Sequence, residues 1–216
     1  MAIKPLEGLK EAILNYDEEA AKEAAHQVIK SDLDVFEAIQ QAMAPALREV
    51  GERFERMEIF LPHLMLAATA MDEAVKILEP KLNPEQKELS QKGTIVLGTV
   101  HGDVHNIGKN IVAMMLKASG LKVIDLGVDV SVTEFVEQAQ KEKADIIAVS
   151  ALMTFTMSEI RTLIEYLETN KLRDHFKVIC GGGALSHEWA KQMGTDGYAE
   201  DAQKAVKLVE TILNLN

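Results

Sequence analysis

The stretch Gly102-Asp103-Val104-His105-Asn106-Ile107-Gly108-Lys109-Asn110 sets an imidazole two residues from a carboxylate, directly after the apolar run Thr94 to Val100. A neutral imidazole donates from one ring nitrogen only. A carboxylate that holds that N–H fixes the tautomer and leaves the other nitrogen basic, ready for a metal or a proton. His105 is therefore a candidate metal ligand, with Asp103 as the group that orients it. Asp, His, Asn and Gly are also ordinary residues of capped turns, and residue type alone does not separate the two readings. Position favours the ligand site: the loop leaves a strand and enters the helical pattern Ile111, Val112, Met115, Leu116, the place where open α/β sheets bind ligands.

The elements that must position this loop follow from periodicity. Short apolar runs at Thr94 to Val100, Lys122 to Leu126, Asp145 to Ser150, Lys177 to Cys180 and Gly197 to Ala199 alternate with helical patterns. That alternation predicts a doubly wound, five-stranded parallel α/β sheet of the Rossmann or flavodoxin-like kind. Its carboxyl edge would collect Gly102 to Gly108, Gly127 to Asp129, Ser150 to Thr156 and Gly181-Gly182-Gly183. The first part of the chain reads as four helices with short connections, hence an antiparallel four-helix bundle. Asp17 and Asp34 are expected helix starts, Pro62 falls in the first turn of the last helix, and Pro45 should bend the third. A polar, apolar-poor stretch around Pro80, Pro84 and Lys92 marks the boundary. The expected domains are a bundle over 1–79, a linker over 80–92 and an α/β domain over 93–216.

Composition narrows the function classes. The chain has 216 residues, 47% of them hydrophobic, and a formal charge of -11 with a pI near 5.1, which argues against nucleic acid as a partner. The longest uncharged stretch, Ile146 to Ser158, falls short of the ~18 apolar residues of a membrane span. The first residues lack the apolar core of a signal peptide, and the single cysteine, Cys180, cannot form an internal disulfide. A cytoplasmic protein is expected.

Several ligands are excluded by spacing. Gly98, Gly102 and Gly108 do not make the GxGxxG of a dinucleotide loop, and Gly108-Lys109 is followed by Asn110 where a phosphate loop needs Ser or Thr. A zinc ion held by protein alone needs three or four ligands, and this edge offers one well-placed histidine. His101 would point to the other face if the strand reached it. A metal already ringed by other ligands, with one axial position vacant, suits a single histidine better, and cobalt in a corrin ring is such a metal.

Asp103-x-His105-x-x-Gly108, followed by Ser150-x-Leu152-x-Thr154 and Gly182-Gly183, resembles the cobalamin-binding signature shared by methionine synthase, corrinoid methyl-carrier proteins and adenosylcobalamin mutases. Phe60-Leu61-Pro62-His63-Leu64-Met65, with Gly51-Glu52-Arg53-Phe54 before it and Met71 after it, is similar to the helical cap of methionine synthase and of the methanol, methylamine, glycine betaine and O-demethylase corrinoid proteins. The resemblance covers nearly the whole chain. It implies a cobalamin or related corrinoid bound base-off and histidine-on, carrying methyl in its methylcobalamin form, with His105 on cobalt and Asp103 tuning the imidazole.

In methionine synthase that relay continues to a serine where this chain has Thr156. By the same resemblance Gly102, Val104, Asn106 and Ile107 belong to the cofactor loop. Ser150 and Thr154 hydrogen-bond the buried nucleotide tail, Leu152 packs on it, and Gly182 and Gly183 let the backbone approach it. The segment from Tyr198 to Ala202 closes the tail pocket. Phe60, Leu64, Met65 and Met71 are candidates to cover the upper face, whereas His26, His63, His175 and His187 read as surface or structural residues.

The implied role is to carry methyl on cobalt between a substrate-specific corrinoid methyltransferase and a second methyltransferase acting on tetrahydrofolate or coenzyme M, with a reductive activase as a third partner. The carrier is not itself expected to be catalytic. Two other classes share this binding domain: a cobalamin-dependent sensor or regulator, disfavoured by length and charge, and the small subunit of a mutase, disfavoured by the cap.

Overall fold

The computed structural model describes residues 3–82 and 92–215. The chain divides into two compact units, Met1–Gln91 with Lys117–Gly120 and Lys92–Leu116 with Leu121–Asn216, each taken by itself below.

The helical unit contains α1 (Ile3–Leu14), α2 (Glu18–Lys30), α3 (Val35–Ala38), α4 (Ala44–Glu55) and α5 (Leu61–Leu78). Its starts lie where the sequence placed them. The Asp17 carboxylate accepts the Ala20 N–H at 2.9 Å, and that of Asp34 accepts the Phe36 N–H at 2.8 Å, each satisfying an orphan donor of a first turn. Pro62 sits in the first turn of α5. Its neighbour His63 accepts the Phe60 N–H through Nδ1 at 3.2 Å, so this histidine caps the helix. The third helical pattern is not simply bent at Pro45. Between α3 and α4 it widens into a π turn, Ile39–Met43, closed by a bond from the Ala44 N–H to the Ile39 carbonyl. Proline has no N–H to offer and its ring crowds the preceding turn, and one wide turn absorbs both. Leu9, Ile13, Ala21, Val28, Met43, Leu47, Leu64 and Leu78 form the buried interior. After α5 a 3-10 turn spans Glu79–Lys81; the rest of the expected linker, 83–91, lies outside the described residues.

The second unit is a parallel sheet of β1 (Thr94–Thr99), β2 (Lys122–Asp125), β3 (Ile146–Ser150), β4 (Lys177–Gly181) and β5 (Gly197–Ala199), in the order β2-β1-β3-β4-β5. Connecting them are α6 (Ile107–Ala118), α7 (Val132–Lys141), α8 (Met157–Thr169), the short α9 (His187–Gln192) and, after β5, α10 (Ala202–Ile212). The order is flavodoxin-like, and it forks between β1 and β3, whose neighbouring carboxyl ends open a crevice. Register pairs Val96 with Ile147 and Thr99 with Ser150. Strand residues alternate between faces. Val96, Ile147, Val149 and Val178 pack against Phe135 of α7 and Ile160 and Leu163 of α8 in one buried core. Gly98 belongs to that face, where a Cβ would stand 2.8 Å from the Phe135 ring. The opposite face carries Leu97, Ala148, Ser150, Ile179 and Gly181, under α6 and α10. Among the described residues no helix is long and apolar enough to cross a membrane.

Candidate functional site

The loop from β1 to α6 turns at Gly102, whose φ of +77° suits glycine. It then buries Asp103 completely. Asp103 Oδ1 accepts the His105 main-chain N–H at 3.0 Å and the His105 ring at Nδ1, 2.7 Å away. Oδ2 accepts the main-chain N–H groups of Leu152 at 2.7 Å and Met153 at 3.3 Å, and the Thr156 hydroxyl at 3.1 Å. Burial alone would raise the Asp103 pKa. The N–H donors from Leu152 and His105, the ring and the hydroxyl outweigh it and hold the carboxyl down to about 2. An ionised carboxylate can only accept, so His105 Nδ1 carries a proton, and in the neutral ring Nε2 is the bare nitrogen. The His105 side chain is 48% exposed, so that bare nitrogen belongs to a reachable ring. The Thr99 hydroxyl steadies the loop from below, donating to the His105 carbonyl at 2.9 Å.

Thr156 stands where the resemblance placed a relay serine, and its hydroxyl reaches Asp103. The same hydroxyl lies 2.8 Å from the Met153 carbonyl. It has one proton, so donation to Asp103 competes with donation to Met153. The methyl that distinguishes threonine from serine packs beside Gly102, where a Cβ would meet it at 3.6 Å.

The loops at residues 102–107 and 151–156 also present Val104, Ile107, Leu152 and Phe155 to solvent, at 67%, 73%, 45% and 70% exposure. Large apolar side chains beside a reachable imidazole mark a surface meant to be covered. Phe155 was not foreseen from sequence, since one aromatic in a polar loop has no periodic signal. Asn106 serves the start of α6, its carbonyl accepting the Asn110 N–H at 2.8 Å.

A cavity of about 430 Å³ opens beside His105, under α6 and α10. Gly108, Ser150, Leu152, Gly182, Gly183 and Ala202 line it, as do Ala199, Glu200 and Asp201 from the segment expected to close the tail pocket. Thr154 does not line it: this threonine is exposed on its loop. The glycines differ in what they answer to. At Gly182 (φ +129°) a Cβ would lie 2.0 Å from the Ala151 carbonyl oxygen, so the fold itself forbids any side chain. At Gly108 a Cβ would meet nothing within 4 Å; its bareness serves the cavity and not the protein's own packing. Lys109 lines the same cavity with a side chain only 1% exposed. Its Nζ is paired with both Asp125 oxygens at 2.5 Å and with Asn110 Oδ1 at 2.7 Å, which satisfies a buried cation. Cys180 borders the cavity through its strand, but its side chain belongs to the core on the other face, where burial pushes the thiol up to about 11. It stays protonated and is a poor metal ligand. Among the described residues no group of three or more His, Cys, Asp or Glu is gathered for a metal ion.

These features fit a corrinoid: one tethered imidazole with a bare nitrogen, an apolar rim around it, and beside it a cavity with room that a Cβ at Gly108 would enter. In the helical unit Phe60 and Met65 are 73% and 50% exposed and Met71 is half-buried. Leu64, expected with them, is fully buried in the bundle interior. It faces inward because it follows the cap of α5 by one turn, on the stripe shared with Ala67, Ala68 and Ala74.

Residues 93–207 match a B12 binding domain family, and residues 5–79 match a second B12 binding domain family. A corrinoid protein of Desulfitobacterium hafniense (strain Y51) is 44% identical over 99% of both chains. The trimethylamine corrinoid protein of Methanosarcina barkeri is 40% identical over 95% of both. Among solved structures, a chain of the methanol:cobalamin methyltransferase complex of Methanosarcina barkeri superposes with a TM-score of 0.88 at 32% identity, covering 99% of this chain and 81% of that one. A cobalamin-binding protein from Desulfitobacterium hafniense DCB-2 gives 0.68 at 32% identity, covering 96% and 98%.

Proposed function

We propose, from the premise that this chain belongs to the B12-binding family of corrinoid proteins, that it carries a methyl group on cobalt from one methyltransferase to another, with His105 as the protein's bond to the metal. The observation that carries the assignment is the five-donor hold on Asp103, whose carboxylate holds the Nδ1 proton of His105, so that the neutral ring, which lines the cavity, offers Nε2 as its donor.

When bound, the corrinoid supplies a metal able to accept and release a methyl group; the protein binds, orients and protects it. His105 would hold the cobalt through Nε2, with the cofactor base-off and histidine-on. Asp103 accepts the Nδ1–H and makes the other ring nitrogen a stronger donor, and Thr156 adjusts how much negative charge Asp103 retains. Gly108, Ser150, Gly182, Gly183 and the residues before α10 hold the nucleotide tail in the cavity of about 430 Å³. Phe60 and Met65 offer apolar surface of the kind a methyl-bearing face needs to exclude water. The bundle over 1–79 and the α/β domain over 93–216 are the working parts of this reading.

The partners are a substrate-specific methyltransferase, a methyltransferase that passes the group to tetrahydrofolate or coenzyme M, and a reductive activase, in the cytoplasm. Relatives named as trimethylamine and dimethylamine corrinoid proteins support a methylated amine as the methyl source.

Electron paramagnetic resonance of the Co(II) form tests the bond. Protein labelled with 15N-histidine and loaded with unlabelled cobalamin should show the two-line axial-nitrogen splitting of 15N, where the cofactor's own base would give the three lines of 14N. His105→Ala should abolish the two-line pattern while the corrinoid stays bound through its tail. An unchanged pattern in that variant would assign the ligand elsewhere.

A further inference from the structure

Beside the His105–Asp103 pair stands a second imidazole and carboxylate that the reading above leaves unused. His101 Nδ1 lies 2.8 Å from Asp129 Oδ1, both side chains more than half exposed. The same Asp129 oxygen accepts the Gly102 N–H at 2.7 Å, and the Asp129 N–H donates to the Asp103 carbonyl at 3.0 Å. One residue thus takes hold of two successive positions of the ligand loop, as acceptor at Gly102 and as donor at Asp103.

Asp129 manages this through an uncommon backbone, with φ at +58°. Non-glycine residues adopt the left-handed region rarely, Asp and Asn most readily. Such a conformation persists where the surroundings hold it, and it gathers at working sites. Here the surroundings are explicit. The Thr99 N–H donates to the Gly127 carbonyl and the Val130 N–H to the Thr99 carbonyl, each at 3.0 Å, and a parallel bridge joins Val100 to Val130. The turn after β2 is thereby laid along the end of β1. Asp103's carboxylate is held by groups at residues 105 and 152–156, whereas its main chain is held by Val100 and Asp129. A shift of that main chain would carry the carboxylate, and with it the ring it orients.

We infer that Asp129 is a positioning residue for His105, fixing the Gly102–Asp103 main chain so that the imidazole meets cobalt in one orientation, with His101 steadying its carboxylate. The inference rests on the reading of His105 as the axial ligand.

Asp129→Gly is the informative variant, because glycine keeps the left-handed backbone and removes only the carboxylate. Two measurements are made on 15N-histidine protein: the His105 ring tautomer in the apoprotein by long-range 1H–15N correlation, and the two-line splitting in the Co(II)-loaded form. Asp129→Gly should move the apoprotein ring from a single Nδ1–H tautomer to a mixture and lower the ligated share of cobalt about tenfold, the scale seen when groups behind a metal ligand are removed. Its corrinoid uptake through the tail should stay within about twofold of the original protein, since the cavity is untouched. Asp129→Asn retains an acceptor oxygen for Gly102 and tolerates the backbone, and it should restore most of the ligation. His101→Ala should cost less than Asp129→Gly.

An original tautomer and original ligation in Asp129→Gly would overturn the inference. So would an Asn variant as impaired as Gly, or a His101→Ala loss equal to that of Asp129→Gly. Absence of the two-line pattern in the unsubstituted protein would instead strike the ligand reading, and the apoprotein tautomer would still decide on Asp129.

Discussion

Gly108 and Gly182 border one cavity under opposite demands. A methyl at Gly108 would touch nothing in the protein, so Gly108→Ala should stabilise the apoprotein by about 0.5 kcal/mol through α6 propensity while weakening corrinoid binding. Denaturation of the apoprotein and a titration with cobalamin would separate the two effects; binding equal to the original would mean that nothing approaches that position. Gly182→Ala meets the Ala151 oxygen at 2.0 Å in a backbone glycine alone tolerates, and should cost more than about 3 kcal/mol, read as a lowered urea midpoint. Asp103 ties stability to pH. Its folded-state pKa of about 2 lies below the ordinary carboxylate value of about 4, so the unfolded chain binds the proton more readily. The stabilisation is complete above about pH 4 and is lost as pH falls toward about 2. Asp103→Asn should flatten the unfolding free energy over that window and cost about 1–3 kcal/mol at neutral pH, because an amide N–H must face one of the five donors. Part of this was legible in advance: Asp103, His105 and Gly108 stand out by their spacing after a strand, whereas Thr156 was singled out only by the resemblance to methionine synthase. Lys109 did not, because a lysine near the start of an amphipathic helix reads as exposed until Asp125 is placed opposite it.

Helix starts were the most readable elements, since a short acceptor before an apolar period has few other uses. Asp17 and Asp34 cap as their positions foretold, and Asp201 does the same for α10 by accepting the Lys204 N–H at 2.7 Å. That cap borders the cavity, and Asp201→Ala should cost about 1 kcal/mol and speed amide exchange in the first turn of α10; protection unchanged there would show that the cap is not needed. Pro45 was readable as a disturbance but not as a π turn, because the sequence shows the missing N–H and not how the preceding turns share the strain. Asp129 was hidden for a related reason. It lies 26 residues from Asp103, and only the parallel crossover that bridges Val100 to Val130 brings the two together.

At the scale of the molecule a doubly wound parallel sheet was implicit in alternating strands and helices, but the order β2-β1-β3-β4-β5 was not, because the same alternation serves both the Rossmann and the flavodoxin-like orders. If the cavity under α6 and α10 holds a nucleotide tail, a corrinoid lacking that tail should bind about a hundredfold more weakly than cobalamin, the scale of burying one base-sized apolar surface. Equal affinities in a binding titration would assign the cavity another occupant. The donors to Asp103 come from both sides of the fork: two from the loop after β1 and three from the loop after β3. One carboxylate thus closes the seam between two crossovers and, with His105 as the proposed ligand, would also set the electron supply to the metal. Any protein engineer who wishes to retune the metal therefore cannot begin at Asp103 without reopening the seam. Thr156 is the adjustable screw, because its hydroxyl has a second acceptor in Met153 and can be withdrawn from the carboxylate while the remaining four donors keep the two loops together.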